Sequence, residues 1–167
     1  AGVTGSAAGR VMPLPEPVVE IARRLEEAGF ETWCVGGAVR DWLTGETDQD
    51  VDLATAATPD QVQRLFPRTV AVGVKHGTVG VLDRQRQLHE VTTFRRDVST
   101  DGRHAVVEYG VSIDEDLSRR DFTINALAYH PFRHELRDPF GGERDLAKGV
   151  VRAVGEPSSL NSSLRFC

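Results

Sequence analysis

Two aspartates that flank a valine, Asp50-Val51-Asp52, have the spacing of a metal-binding pair. Residues 50–54 are predicted to form a short strand, on which side chains two positions apart lie on one face. Val51 would then point into the core, and both carboxylates would point into one site. Adjacent carboxylates repel each other unless a cation lies between them, and Mg²⁺ commonly binds one or two carboxylates together with substrate phosphates. Taken alone, the three residues fit an exposed turn better than a metal site.

A pair of glycines, Gly36-Gly37, lies upstream between a predicted strand and a predicted short helix. Glycines allow the backbone to approach a phosphate, and a helix N-terminus favours an anion. Arg40 would add a guanidinium fork to the same phosphate. The alternative is a tight turn with a solvent-facing arginine. A phosphate-binding turn followed about ten residues later by two carboxylates is the layout expected for metal-assisted phosphoryl or nucleotidyl transfer.

Two further groups of polar residues are candidates for the same site. Glu90, on a predicted strand beside that of Asp50, is a candidate third carboxylate, unless it faces solvent. Ser112 and Glu115 form a capping box that predicts a helix running to about Tyr129. On that helix Arg120, Asp121 and Asn125 would project into one cleft, the arginine toward phosphate and the others toward sugar hydroxyls. A solvated face of an amphipathic helix is the alternative.

The elements that must position these residues indicate a mixed α/β (α+β) domain, with a sheet of about five strands flanked by helices. The predicted helices cover residues 15–28, 38–44, 58–66 and 112–129. The predicted strands cover residues 32–35, 50–54, 70–74, 78–82, 88–94, 135–137 and 150–154. Residues 95–104 are polar and are predicted to form a mobile loop.

Composition excludes several classes of protein. The chain has 167 residues, and 20 basic against 25 acidic side chains give a net charge of −5. A broad nucleic-acid-binding surface is usually basic, so a long nucleic acid would need a local patch or another domain. The sequence contains no apolar run long enough to cross a membrane. Its two cysteines form neither a disulfide framework nor a zinc set, which indicates a reducing, cytoplasmic setting.

Several other reactive or aromatic residues are predicted to be structural. Cys34 is expected to be a small buried side chain and not a nucleophile. Trp33 and Trp42 are expected to pack in the core. The five histidines are scattered and include no metal-ligand pair on a helix.

Five segments, in this order along the chain, resemble the class II tRNA nucleotidyltransferases, which are the CCA-adding enzymes and whose superfamily includes bacterial poly(A) polymerases. The segments are 35–41, 50–52, 92–95, 119–128 and 138–142. The resemblance extends over roughly residues 15–157 and implies a polymerase-β-like catalytic head. It predicts a flexible leader at 1–14, the head at 15–130, the end of the head and the start of a neck at 131–157, and a truncated or disordered tail at 158–167.

The resemblance also implies roles for individual residues. Asp50 and Asp52 would hold two Mg²⁺ ions, with Glu90 as the third catalytic carboxylate. The nucleotide-binding positions would be Gly36, Gly37, Arg40, Arg120, Asp121 and Asn125. Residues 95–106 correspond to the flexible loop that helps the enzyme switch from CTP to ATP. The implied reaction adds CMP and AMP, from CTP and ATP, to the 3′ end of tRNA.

One family motif is missing where the resemblance predicts it. A Glu-Asp-x-x-Arg helix normally follows the position of Gly155 and reads the base, but here Glu156-Pro157 is followed by Ser158-Ser159-Leu160-Asn161. Base selection and tight tRNA binding are therefore not expected from this stretch. Alternatives are a poly(A) polymerase, a CC-adding or A-adding enzyme of the same family, or a non-catalytic fragment that binds nucleotide or RNA.

Overall fold

The computed structural model describes residues 10–46, 50–99, 105–155 and 164–165. In chain order the strands are β1 (Thr32–Val35), β2 (Asp52–Thr55), β3 (Thr69–Gly73), β4 (Thr78–Leu82), β5 (Leu88–Thr93), β6 (Arg95–Ser99), β7 (Ala105–Tyr109), β8 (Ala128–His130), β9 (Glu135–Arg137), β10 (Val150–Val151) and β11 (Leu164–Arg165). Seven of them form the main sheet, in the order β3-β4-β5-β2-β1-β8-β9. Within it β2 and β5 run parallel, and the other neighbours are antiparallel.

Helices pack on the sheet through apolar side chains that recur at helical spacing. The helices are α1 (Glu16–Glu27), α2 (Gly37–Leu43), α3 (Pro59–Leu65), α4 (Ile113–Ser118) and α5 (Gly142–Ala147). On α1 the buried residues are Val18, Ile21, Ala22 and Leu25. Each of the three larger side chains stabilises the fold by roughly 1.5–3 kcal/mol when fully buried.

The central strand β1 is covered on both faces, which explains its continuous run of buried residues. Cys34 points into the larger apolar cluster, which contains the buried side chains of α1, α2 and α3. Trp33 and Val35 point the other way, into a smaller cluster with Ile113 and Leu117 of α4. The alternation of side chains along a strand therefore separates two cores.

Helix starts follow the sequence prediction closely. The Thr58 hydroxyl accepts a hydrogen bond from the Gln61 backbone N–H, and Ser112 does the same for Glu115. Both are complete capping boxes.

The prediction of one helix from Ser112 to about Tyr129 is wrong, because α4 ends at Ser118. Residues 123–125 instead form a single 3-10 turn, and 128–130 form strand β8 in the main sheet. The Thr123 backbone N–H donates to the carbonyl of Arg152 at 2.9 Å, and Phe122 forms a β-bridge with Ala153. These long-range bonds occupy backbone groups that a continuous helix would need.

The prediction that residues 95–104 form a loop is also wrong for its first half. Strands β6 and β7 pair as an antiparallel hairpin, from Arg95↔Tyr109 to Ser99↔Ala105. Residues 100–104, which include His104, lie outside the described residues.

Smaller differences concern the sheet, the chain start, the segment after residue 138 and the predicted tail. The main sheet has seven strands and not about five, and one of them, β8, lies in a segment that was predicted to be helical. Of the predicted leader, residues 10–14 are described, and there Met12 is buried and its N–H donates to the Tyr129 hydroxyl. Helix α5 follows the predicted turn at 138–142, and β10 covers the first two residues of the predicted strand 150–154. The predicted tail lies outside the described residues apart from β11, which pairs with β10.

Candidate active site

The two candidate metal-binding aspartates stand at the start of β2. Val51 and Leu53 are buried in the larger cluster, while Asp50 and Asp52 are exposed. The predicted alternation of exposed and buried residues is therefore present over 50–53, although β2 begins at Asp52 and not at Asp50 as predicted. The buried side chains of Val51 and Leu53 fix this orientation, because turning the segment over would bury both charges.

Glu90 lies next to Asp52 across the sheet. Strand β5 runs parallel to β2 with Leu53 opposite Val91, so the preceding residues, Asp52 and Glu90, are neighbours on the opposite face. Adjacent strands are about 4.8 Å apart. A cleft of about 620 Å³ is lined by Asp50, Asp52 and Glu90 among others. We call these three residues the carboxylate cleft.

The donor atoms of the carboxylate cleft suit a hard divalent cation such as Mg²⁺, which prefers carboxylate oxygen. Across the part of the chain that the structure describes, no group of three or more His, Cys, Asp or Glu residues is arranged to hold a metal ion by itself. An ion at the carboxylate cleft would therefore need further oxygen ligands, such as those of substrate phosphates.

The glycine turn has the predicted form. Gly36 precedes α2 with φ 83° and ψ −148°, a conformation that residues with a Cβ rarely adopt. A Cβ added at Gly37 would lie 3.3 Å from the Nη2 atom of Arg40. Both glycines thus leave the backbone open at the start of α2, beside the Arg40 guanidinium.

Arg40 and two residues of the later motif meet, although they are far apart in sequence. The Arg40 Nη1 atom donates to Asn125 Oδ1 at 2.7 Å, and Asn125 Nδ2 donates to Asp121 Oδ1 at 3.1 Å. The hydrogen bond from Asn125 is the largest cause that lowers the pKa of Asp121. Of the predicted set Arg120, Asp121 and Asn125, the structure joins Asp121 and Asn125 by a hydrogen bond, and Asn125 lies on a 3-10 turn and not on a helix.

Arg120 lies close enough to Asp121 for an electrostatic interaction, but its hydrogen-bond partner is Asp116, a carboxylate that the sequence reasoning missed. Its Nη2 atom donates to Oδ1 of buried Asp116 at 3.2 Å, and its charge also contributes to lowering the pKa of Asp121. We call Arg40, Asp116, Arg120, Asp121 and Asn125 the arginine network. The signal was available, since Asp116 and Arg120 have the i, i+4 spacing of a helical ion pair.

The turn at 138–142 packs against the 3-10 turn that carries Asn125. The Asp138 carboxylate accepts hydrogen bonds from the backbone N–H groups of Gly142 and Glu143 and so caps α5. Burial raises the pKa of Asp138. A Cβ on Gly142 would lie 2.1 Å from the carbonyl oxygen of Thr123, so the start of α5 packs directly on the turn that carries Asn125.

The residues predicted to be structural are buried. Cys34 is inaccessible, and burial raises the pKa of its thiol to about 12, which excludes a reactive thiolate near neutral pH. Trp33 and Trp42 are core residues. Among the described residues no helix is long and apolar enough to span a membrane.

Comparison with known families gives a consistent result. A family model described as the poly A polymerase head domain matches residues 32–152. The CCA-adding enzyme of Leuconostoc mesenteroides is 47% identical over 154 residues, which cover 88% of this chain and 37% of that protein. The CCA-adding enzyme of Streptococcus pneumoniae (strain CGSP14) is 48% identical over 144 residues, which cover 85% of this chain and 35% of that protein.

Solved structures agree with the sequence comparison. The Bacillus stearothermophilus CCA-adding enzyme in complex with CTP superposes with a TM-score of 0.75 and is 42% identical, over 84% of this chain and 33% of that one. The Thermotoga maritima CCA-adding enzyme complexed with tRNA gives a TM-score of 0.63 at 26% identity, over 92% of this chain and 36% of that one. The chain thus spans about a third of the length of the relatives it matches.

Proposed function

The chain belongs to the poly A polymerase head domain family, and we propose that it is the catalytic head of a template-independent RNA nucleotidyltransferase that adds CMP and AMP, from CTP and ATP, to the 3′ end of tRNA. One observation carries the proposal: the parallel pairing of β2 with β5 makes Asp52 and Glu90 neighbours in a cleft that Asp50 also lines. Substrates and activity are transferred from relatives of which this chain spans about a third.

In this proposal Asp50 and Asp52 hold Mg²⁺. When bound in such a site, divalent ions lower the pKa of the attacking 3′-hydroxyl and neutralise charge on the leaving pyrophosphate. Glu90 adds a third negative charge beside Asp52 and orients the attacking hydroxyl. The buried Val51 and Leu53 keep both aspartates aimed at the substrate.

The nucleotide lies between the carboxylate cleft and the arginine network. Gly36 and Gly37 leave room for the triphosphate at the start of α2, and Arg40 and Arg120 supply guanidinium donors to its oxygens. Asp121 and Asn125 face the ribose hydroxyls. Their mutual hydrogen bond fixes both side chains before the nucleotide binds, which lowers the entropic cost of binding.

Domain boundaries follow from the same proposal. The head extends over residues 15–130 and ends within 131–157, where β9 still pairs with β8 in the main sheet and where the neck begins. Residues 12–14 pack on the head through Met12 and Leu14, although they precede its predicted start. In this proposal, base selection and most of the tRNA contacts belong to regions of the relatives outside the matched third. The cytoplasmic location stays a prediction.

A poly(A) polymerase is the second candidate, because the matching family model carries that description. Primer extension separates the two. The chain is mixed with Mg²⁺, CTP or ATP, and a tRNA that lacks its 3′ end, and products are resolved at single-nucleotide steps. Addition of two C residues and one A supports CCA addition, while a long A ladder supports the second candidate.

Variants locate the activity in the cleft. Asp52→Ala is expected to abolish extension and also Mg²⁺-dependent CTP binding, while Glu27→Gln, which changes an exposed acid on α1, is expected to behave as the wild type. The binding assay gives a result even where extension needs the rest of the longer protein. CTP binding that depends neither on Mg²⁺ nor on Asp52 contradicts the proposed site.

A further inference from the structure

Asp116 is a buried carboxylate to which neither the sequence motifs nor the proposed reaction assigns a role. It lies on α4 with 1% of its side chain exposed. Burying an ionised carboxylate is costly unless hydrogen bonds and opposite charges compensate it. Its partners therefore indicate why an aspartate occupies this position.

Those partners come from two separate parts of the fold. Asp116 Oδ2 accepts a hydrogen bond from the backbone N–H of Arg95 at 3.0 Å, and Oδ1 accepts one from Arg120 Nη2 at 3.2 Å. Arg95 is the first residue of β6, where the β6–β7 hairpin leaves the main sheet. A single buried carboxylate thus holds both the base of the hairpin and the guanidinium of Arg120.

The surrounding charge makes this arrangement depend on Asp116. Arg119 Nε lies 3.8 Å from Asp116 Oδ2, so a third arginine approaches the same carboxylate. Burial is the largest cause that lowers the pKa of Arg119; repulsion from Arg95 and Arg120 adds to it, and attraction to Asp116 and Asp97 opposes it. Without Asp116, the repulsion of Arg119 by Arg95 and Arg120 would lose its main compensating attraction.

The same arginines retain donor capacity. In the part of the chain that the structure describes, the Nε atoms of Arg95, Arg119 and Arg120 are buried and lack a hydrogen-bond partner. The hydrogen bonds of the cluster are therefore incomplete, and its geometry depends on the carboxylates that oppose the repulsion between the arginines, chiefly Asp116.

We propose that Asp116 is a positioning residue that orients Arg120 toward the nucleotide and fastens the β6–β7 hairpin to the same point, so that nucleotide binding and hairpin order are energetically coupled. The inference rests on the proposed function, because it takes Arg120 as a nucleotide-binding residue. Asp116 itself is buried and acts through Arg120 without touching the substrate.

A double-mutant cycle tests the coupling between Asp116 and Arg120. The affinity for CTP with Mg²⁺ is measured for the wild type, Asp116→Asn, Arg120→Ala and the double variant. Asp116→Asn is expected to raise the Kd about tenfold or more in the wild-type background, and to have no further effect when Arg120 is already alanine. The matched control is Asp114→Asn on the same helix, whose carboxylate is 43% exposed and pairs with Arg137 at the surface; it is expected to leave the Kd unchanged.

Amide hydrogen exchange tests the coupling to the hairpin. In the wild type, CTP is expected to slow exchange at the amides of β6, beginning with Arg95. Both Asp116→Asn and Arg120→Ala are expected to lose this response. The Arg120→Ala measurement keeps the test decisive if Asp116→Asn fails to fold, since Asp116 is intact in it.

Two results would overturn the inference alone: an Asp116→Asn Kd that is unchanged, or one that rises equally in both Arg120 backgrounds, as general destabilisation would cause. Retained protection of β6 by CTP in Arg120→Ala also overturns it. Failure of the wild type to bind CTP at all overturns the proposed function and this inference with it, and so is distinguishable from the other results.

Discussion

The carboxylate cleft consists of exposed acids at the ends of neighbouring strands, whereas the arginine network ranges from exposed Asp121 to buried Asp116. Its hydrogen bonds join Arg40, Asn125 and Asp121 in one set, and Arg120 and Asp116 in another. Asp50 and Asp52 are oriented by apolar residues adjacent to them in sequence. Arg40 and Asn125 are joined across 85 positions of the chain. The first region is positioned by strand register and leaves its charges accessible. The second depends on long-range hydrogen bonds, so we expect it to be more sensitive to changes in packing.

The largest effect is expected for a substitution in the carboxylate cleft that reduces activity without reducing stability. Asp52→Asn keeps the size of the side chain and removes its charge, and nucleotidyl transfer is expected to fall at least about 100-fold, as when one group that stabilises transition-state charge is removed. The melting temperature is expected to stay unchanged or to rise slightly, because a repulsion between exposed carboxylates is relieved. Primer extension and thermal unfolding measure both. A large loss of stability would mean that Asp52 is structural.

A loss of both stability and CTP affinity is expected at Gly142, which packs on the turn that carries Asn125. In Gly142→Ala the new Cβ would meet the Thr123 carbonyl at 2.1 Å, and this overpacking is expected to cost about 1–3 kcal/mol. CTP affinity should fall as well, since the displaced turn carries Asn125. Gly73→Ala is the matched control, because its Cβ would make an ordinary 3.8 Å contact with Thr78. Chemical denaturation that gives equal stabilities for both variants would contradict the expectation.

A smaller effect is expected when the network loses one member. Asn125→Ala removes the acceptor of Arg40 and the donor to Asp121, and each hydrogen bond contributes about 1 kcal/mol. We expect CTP binding to weaken about tenfold, by the loss of one to two such bonds, with a modest loss of stability. Isothermal titration calorimetry checks the affinity. Unchanged binding would show that Arg40 finds its orientation without Asn125.

The smallest expected effect is a pH dependence of stability that arises from His130, which belongs to neither region. His130 is buried; its Nδ1 accepts hydrogen bonds from the N–H groups of Phe132 and Arg133, and its Nε2 lies 3.2 Å from Glu26 Oε2. Burial is the largest cause that lowers the pKa of His130, and the charge of Arg133 adds to it. The folded state therefore resists protonation more than the unfolded state does.

The sign follows from linkage. The contribution of His130 to the free energy of unfolding is complete above the unfolded pKa of about 6.5 and is lost as the pH falls toward the lowered folded value. The difference in stability between the wild type and His130→Gln should therefore shrink from about pH 7 to pH 5. His76→Gln, at an exposed position, is expected to show no such change. A constant difference for His130→Gln would contradict the assignment.

Local patterns in the sequence predicted the parts of the fold that neighbouring residues determine. The spacing of Val18, Ile21, Ala22 and Leu25 predicted α1, and the capping boxes predicted the starts of α3 and α4. The alternation around Val51 predicted the exposure of both aspartates. Each of these depends on residues within about one or two helical turns, where propensity and periodicity are informative.

The secondary-structure predictions were wrong in segments whose conformation depends on residues outside the segment. Residues 119–127 have a helical pattern, yet the backbone of Thr123 bonds to Arg152 and Gly142 packs on the same turn. Residues 95–104 were predicted to form a loop because most of them are polar, but 95–99 form β6, which pairs with β7 and whose first amide bonds to Asp116. Tertiary hydrogen bonds override local propensity in both cases.

By itself the sequence determined the chemistry available to this protein: oxygen donors at Asp50, Asp52 and Glu90, a glycine turn before Arg40, and a polar set from Arg120 to Asn125. Only the tertiary structure decided which of these groups meet, through the parallel register of β2 and β5 and the hydrogen bond between Arg40 and Asn125. The role of Asp116 likewise became visible only in the tertiary structure, because the energy of a buried charge depends on the partners around it. Residue types determine what a site can bind, and long-range packing determines whether the groups are placed to bind it.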